Sequence, residues 1–134
     1  MSPFKGQTGL KRILNATGYS FDGLRAAFTG EAAFRQLVLL NVVLVPLSFL
    51  LQVSRVERAV LIAVCLLALI VELLNSAIEA AIDRISLERH PLSKNAKDMG
   101  SAAQFVALSM IVLVRGTVRE TRAWPRSGTC VCAK

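Results

Sequence analysis

The fold of this chain is decided by residues 59–78, which read AVLIAVCLLALIVELLNSAI. A helix of this length rises by about 1.5 Å per residue and so crosses the ~30 Å hydrocarbon core of a bilayer. Only Glu72, Asn75 and Ser76 interrupt the run, and the helical pattern continues through Asp83. The segment therefore predicts a membrane-spanning helix that carries a polar stripe.

Two further apolar blocks flank this segment. Residues 37–53 carry no charge and predict a first span, with a kink near Pro46 that Ser48 or a neighbour could relieve by bonding the freed carbonyl. Residues 99–114 are also uncharged, but they end at Arg115 and alone cover only about 24 Å of helix. This third block predicts either a short span, with local thinning of the bilayer and Arg115 reaching for the headgroups, or an incomplete crossing.

The region before the first span is amphipathic. Residues 10–34 place apolar side chains at helical spacing, and Gly18 and Gly23 interrupt them near the middle. This pattern predicts two short helices in the membrane interface, joined around residues 18–20. The alternative is that they are the first two helices of a soluble bundle.

Composition and charge agree with a small membrane protein. In 134 residues, 54% are hydrophobic and only 19% are charged, which excludes a two-domain soluble enzyme. The net charge is +7, but Lys and Arg sit beside the apolar blocks, where anionic headgroups explain them better than nucleic acid does. Their distribution predicts a cytoplasmic N-terminus and a cytoplasmic loop at residues 84–97, whereas the basic tail at 115–134 breaks that rule.

The polar stripe is the strongest functional signal. Glu72, Asn75, Glu79 and Asp83 share one helix face. A carboxylate at membrane depth costs at least ~2.5–3.5 kcal/mol, so Glu72 is the best functional candidate. The alternative is a polar seam that only fixes helix assembly, with Glu79 and Asp83 solvated. Carboxylates beside a basic loop can hold Mg²⁺ and nucleotide phosphates, although no GxxxxGK[ST] loop is present.

Several motifs make the sequence more specific. They are GYS (18–20), GLRAA (23–27), EAAFRQ (31–36), VELLNSAIEAAIDRI (71–85) and KDMGSAA (97–103). In this order and spacing, over residues 11–114, the chain resembles the prokaryotic diacylglycerol kinases, which are small integral membrane kinases. The resemblance implies an all-α membrane protein, with an N-terminal interfacial amphipathic helix and three transmembrane helices, forming a homotrimer with active sites shared between subunits. The chain length itself predicts a single domain over residues 1–134, of which residues 115–134 are an atypical basic tail.

The activity that the resemblance implies is transfer of the γ-phosphoryl group of ATP to the hydroxyl of diacylglycerol, with Mg²⁺, at the bacterial inner membrane. By matching positions, Glu72 resembles the general base, Glu31 and Glu79 the Mg²⁺ ligands, and Asn75 a residue that orients the carboxylates. The positions that match nucleotide contacts are Arg12, Tyr19, Glu31, Glu79, Glu88, Arg89, His90, Lys97 and Asp98. The positions that match lipid contacts are Arg58, Glu72 and Ser101.

Two features depart from the family pattern. Leu37 stands where close relatives acting on diacylglycerol carry a second glutamate, and the segment at 115–134 is polar where the third helix of the family stays apolar. Two alternatives to a diacylglycerol kinase therefore remain: a kinase of the same family that acts on undecaprenol, and a non-enzymatic oligomeric membrane protein such as a small transporter.

Overall fold

The computed structural model describes residues 9–85 and 90–123. Within these ranges all regular structure is helical. Helix α1 runs over Leu10–Gly30, α2 over Ala32–Leu50, α3 over Arg55–Ile85 and α4 over Pro91–Ala123. Three segments are long and apolar enough to cross a membrane, namely Ala32–Leu50, Arg55–Ile85 and Pro91–Glu120. The expectation of three spans is confirmed.

Helix α3 is the centre of the fold. It packs against α2 on one side and α4 on the other, and α1 contacts both α2 and α3. The core is small and is formed by Leu37, Val64, Cys65, Ala68, Ala107 and Ile111. Most large apolar side chains of the spans are instead exposed, such as Leu39, Val42 and Phe49. A single chain therefore presents extensive apolar surface, which suits contact with lipid or with other chains.

The N-terminal region is one continuous helix, so the prediction of two short helices is wrong. Glycine inside a helix costs only about 1 kcal/mol relative to alanine, which a long helix tolerates. A Cβ at Gly18 or Gly23 would meet nothing within 4 Å, so neither glycine is required by close packing. The break falls instead at Glu31, whose backbone is extended at φ −108° and ψ 116°. Arg35 covers this joint by donating from Nη1 to the carbonyls of Phe28 and Thr29, each at 3.1 Å.

Helix α2 ends earlier than the sequence predicted. Its last residue is Leu50, and Leu51 is extended, whereas the uncharged run continues to Val53. Pro46 lies inside the helix. Ser48 does not bond the carbonyl that this proline frees, because its Oγ donates to Val45 O at 2.6 Å.

The start of α3 is fixed by a reciprocal cap. The backbone N–H of Glu57 donates to Ser54 Oγ at 3.2 Å, and the backbone N–H of Ser54 donates to Glu57 Oε2 at 2.8 Å. This is the capping box, in which the serine and the glutamate satisfy each other's free donors. The polar turn between α2 and α3 therefore fixes the residue at which α3 begins.

Helix α4 is longer than its uncharged block. It continues through Arg115 to Ala123, so the third span is not limited to residues 99–114. The sequence suggested that Arg115 reaches outward for the headgroups, but in the structure it turns toward α2. Its Nη2 donates to Leu44 O of α2 at 2.8 Å, and it is half-buried. A charged residue is tolerated here because a backbone carbonyl of the neighbouring helix accepts a hydrogen bond from its guanidinium group.

Candidate active site

Three glutamates lie in the region where the joint between α1 and α2 approaches α3. Glu72 is buried, with 4% of its surface exposed. Glu79 lies two turns further along α3, and Glu31 lies at the joint. The charges of Glu79 and Glu31 both act on Glu72. The fold therefore brings Glu31, 41 positions before Glu72 in the chain, into the neighbourhood of the two glutamates of α3.

Asn75 sits between the two glutamates of α3. Its Nδ2 donates to Glu79 Oε1 at 3.1 Å. Its Oδ1 is buried and accepts no conventional hydrogen bond from the described residues. That oxygen faces α4 at Gly100, where an added Cβ would overlap it and would stand 3.2 Å from Asn75 Cγ. Helix α4 thus closes over the amide.

A groove of about 590 Å³ opens beside this cluster, between α1 and α3. Glu31 lies at its edge, and Leu24, Leu73 and small residues of both helices line it. The walls are mostly apolar, so the groove can accept a hydrocarbon chain next to the carboxylates.

Charged residues occupy the end of the bundle at which α3 ends and α4 begins. Lys97 Nζ lies 2.5 Å from Asp83 Oδ1 and joins the two helices. Lys94 Nζ lies 2.6 Å from Asp98 Oδ2, one turn along α4. The side chains of Lys94, Asp98 and Asp83 are more than half exposed, whereas that of Lys97 is 38% exposed. A charged surface therefore begins at Asp83, one helical turn beyond Glu79 on α3.

Comparison with known proteins decides between the alternatives. The family described as prokaryotic diacylglycerol kinase matches residues 18–118. The chain belongs to the prokaryotic diacylglycerol kinase family. It is 80% identical over 117 residues to the diacylglycerol kinase of Pseudomonas aeruginosa, which covers 87% of this chain and 95% of the relative. It is 50% identical over 106 residues to that of Escherichia coli K12, covering 79% of this chain and 87% of the relative. It is 46% identical to that of Haemophilus influenzae over 111 residues, which is 83% of this chain and 94% of the relative.

The resemblance seen in the motifs is thereby confirmed, and the chain is an enzyme of the diacylglycerol kinase type. Neither an undecaprenol kinase nor a non-enzymatic membrane protein is favoured. Among the described residues that match nucleotide-contact positions, His90 and Asp98 are exposed, and Glu31, Glu79 and Lys97 are partly buried. Arg12 and Tyr19 are exposed on α1, two turns apart. Glu88 and Arg89 lie outside the described residues.

His90 has a local role that the sequence did not reveal. It immediately precedes α4, and its Nδ1 accepts the backbone N–H of Leu92 at 3.2 Å. This is the geometry of an N-cap, followed by Pro91 at the first helical position. The imidazole therefore stabilises the start of the helix that carries Lys97 and Asp98.

Arg58 is not brought to the carboxylate cluster. It lies near the start of α3, fourteen positions before Glu72, which is about 21 Å of helix. Its Nε donates to Ser48 O at 3.2 Å and its Nη2 to Leu51 O at 3.3 Å. It also lies 5.4 Å from the centre of the Phe49 ring. Its guanidinium caps the end of α2, so within one chain it lies far from Glu72.

The carboxylates suit a magnesium ion that arrives with phosphate. Within residues 9–85 and 90–123, no three His, Cys, Asp or Glu side chains form a metal-binding group. Mg²⁺, however, commonly uses one or two protein carboxylates together with water and substrate phosphates. Glu31 and Glu79 offer such oxygens, and Asn75 holds one oxygen of Glu79 in place. The donor set fits a nucleotide-bound ion.

Proposed function

We propose that this protein phosphorylates the hydroxyl of diacylglycerol with ATP to give phosphatidic acid, and that Glu72 is its general base. The observation that carries the proposal is the burial of Glu72 on a membrane-spanning helix, next to Glu31, Glu79 and an apolar groove. Burial of a carboxylate on a membrane-spanning helix costs free energy, so such a residue is retained where it has a partner or a function. The diacylglycerol kinases to which the chain is similar supply the reaction type.

The chemistry follows from the position of each group. The acyl chains lie along the groove and present the hydroxyl to Glu72. The lipid oxygen attacks the γ-phosphorus of ATP, the bond from that phosphorus to the β–γ bridging oxygen breaks, and the hydroxyl proton moves to the Glu72 carboxylate. Phosphoryl transfer has a loose transition state, so positioning and charge neutralisation account for most of the rate.

Glu31 and Glu79 are the proposed ligands of Mg²⁺. When bound, the ion neutralises charge on the β- and γ-phosphates. Asn75 keeps Glu79 turned toward the site through its 3.1 Å hydrogen bond. Arg12, Tyr19, Lys97 and Asp98 are the proposed nucleotide contacts, together with Glu88, Arg89 and His90. Ser101, exposed on α4, and Arg58 are the proposed lipid contacts.

The proposed assembly is a homotrimer in the bacterial inner membrane. Its support is the apolar surface that one chain leaves exposed on every span, and a groove lined by only two helices. The N-terminus and the loop between α3 and α4 are proposed to be cytoplasmic, because Lys and Arg concentrate there. This orientation gives the carboxylate cluster access to cytoplasmic ATP.

The acceptor can be tested directly. The purified protein is incubated with Mg²⁺ and γ-labelled ATP in mixed micelles that contain diacylglycerol, undecaprenol or no acceptor. We expect labelled phosphatidic acid in the first sample and background in the others. Label in undecaprenol alone would show that the acceptor is wrong, and absence of labelled lipid from all samples would contradict kinase function.

A further inference from the structure

We propose that Gly100 is a positioning residue of the active site, which holds the Asn75 amide in the orientation that bonds Glu79. This inference rests on the proposed roles of Glu72 and Glu79. Gly100 is buried on α4, and it is the only glycine among the described residues at which an added Cβ would meet a neighbouring atom within 4 Å. The three nearest of these atoms belong to the Asn75 side chain.

The close approach is directional. One Cα–H bond of a glycine points where a Cβ would stand, and at Gly100 this direction leads to Asn75 Oδ1. That oxygen is buried and accepts no conventional hydrogen bond from the described residues. A Cα–H group is a weak donor, worth about 0.5–1 kcal/mol where it meets a carbonyl oxygen. The Cα–H of Gly100 is therefore placed to donate a weak hydrogen bond to Asn75 Oδ1, which has no conventional donor among the described residues.

This contact fixes which end of the amide faces which helix. With Oδ1 against Gly100, the Nδ2 group is left to donate to Glu79 Oε1 at 3.1 Å. An amide turned the other way would place its oxygen against a carboxylate oxygen, which is repulsive. Gly100 thus acts on Glu79 through Asn75, across the interface between α4 and α3.

A methyl group at position 100 cannot be accommodated without moving Asn75. In the Gly100→Ala variant the new Cβ would overlap Oδ1 and stand 3.2 Å from Cγ. Removing the amide relieves the clash, because the nearest remaining Asn75 atom would be its Cβ, at 3.9 Å. The two substitutions are therefore coupled, and a double-mutant cycle measures the coupling.

The experiment compares wild type, Gly100→Ala, Asn75→Ala and the double variant in detergent micelles. Gly116→Ala is the matched control, because Gly116 lies on the same helix and a Cβ there meets nothing within 4 Å. Two readouts are taken: thermal unfolding, and initial rates at varied Mg²⁺ and varied diacylglycerol. Unfolding reports the coupling even if no lipid is phosphorylated, so a failure of the proposed function is distinguishable from a failure of this inference.

We expect Gly100→Ala to lower kcat by roughly 10- to 100-fold, the cost of a small misplacement in an active site, and to raise the Mg²⁺ concentration for half-maximal rate. KM for diacylglycerol should stay within about twofold, because the amide does not line the groove. In the Asn75→Ala background, Gly100→Ala should leave the rate unchanged, and it should shift the melting temperature only as Gly116→Ala does in wild type, through the higher helix propensity of alanine. Gly116→Ala should keep the wild-type rate and Mg²⁺ dependence, and its melting temperature should be equal or slightly higher, because alanine favours a helix more than glycine does.

Two results would overturn the inference. One is that Gly100→Ala keeps half or more of the wild-type kcat and its Mg²⁺ dependence. The other is that its effect is undiminished in the Asn75→Ala background, since the glycine would then act by another route. If Gly100→Ala does not fold, the double variant tests the inference, because removal of the Asn75 amide relieves the clash and should restore folding. A double variant that also fails to fold, while Asn75→Ala folds, would likewise overturn the inference.

Discussion

Replacement of Glu72 by glutamine tests the mechanism most directly. The change removes a proton acceptor and keeps the size of the side chain, so no cavity forms at a position with 4% exposure. It also removes one of three negative charges that act on one another, together with Glu31 and Glu79. We therefore expect the folded protein to be at least as stable as wild type.

The kinetic effect should be large. A positioned general base contributes about 10²- to 10⁴-fold to the rate. At 1.36 kcal/mol per factor of ten, this is about 2.7–5.4 kcal/mol of transition-state stabilisation. Because the interaction exists only as the proton moves, kcat should fall and KM for Mg·ATP should change little.

The assay is the initial rate of phosphatidic acid formation in mixed micelles, at saturating Mg·ATP and diacylglycerol. Glu120→Gln is the control, because it makes the same chemical change at an exposed position near the opposite end of α4 from the cluster. Retention by Glu72→Gln of a tenth or more of the wild-type kcat would refute the assignment of the base. Equal losses in both variants would point to a general effect of charge.

Three further predictions concern the metal and the fold. Glu79→Gln should raise the Mg²⁺ concentration needed for half-maximal rate, and an unchanged titration would remove Glu79 from the metal site. Arg115→Ala should lower the free energy of unfolding by about 1.5–3 kcal/mol, because α2 loses a hydrogen bond from a charged donor. Replacement of the exposed Arg119 by alanine should change this free energy little. Equal melting temperatures of the two variants would contradict the prediction. Ser54→Ala should lower the free energy of unfolding by about 0.5–2 kcal/mol, because the backbone N–H of Glu57 loses its hydrogen bond to Ser54 Oγ. The same unfolding assay measures this change, and an unchanged melting temperature would show that the cap is not needed.

The spans and the main catalytic candidate could be predicted from the sequence because both depend on local pattern. Length and hydropathy located three membrane helices. Helical periodicity placed Glu72, Asn75 and Glu79 on one face. The motifs around them indicated the family. The error in α1 came from reading Gly18 and Gly23 as breaks, although a glycine only weakens a helix and the surrounding residues favour one.

Other features could not be read from local pattern. Gly100 was part of a recognisable motif, but nothing in the motif shows that its missing side chain makes room for Asn75, twenty-five positions earlier. Arg115 looked like the end of a span, and only the neighbouring Leu44 carbonyl makes it part of the bundle. Arg58 matched a lipid-contact position, yet its nearest partners are carbonyls at the end of α2.

The sequence by itself determined that this chain enters a membrane and carries acids along one of its helices, because hydropathy and helical spacing are properties of a single segment. Tertiary structure decided which polar groups face one another: Glu31 joins the two glutamates of α3, and α4 closes over Asn75 at Gly100. The reason is physical, since the direction and surroundings of a side chain depend on the helix packed against it, and that helix comes from a distant part of the chain.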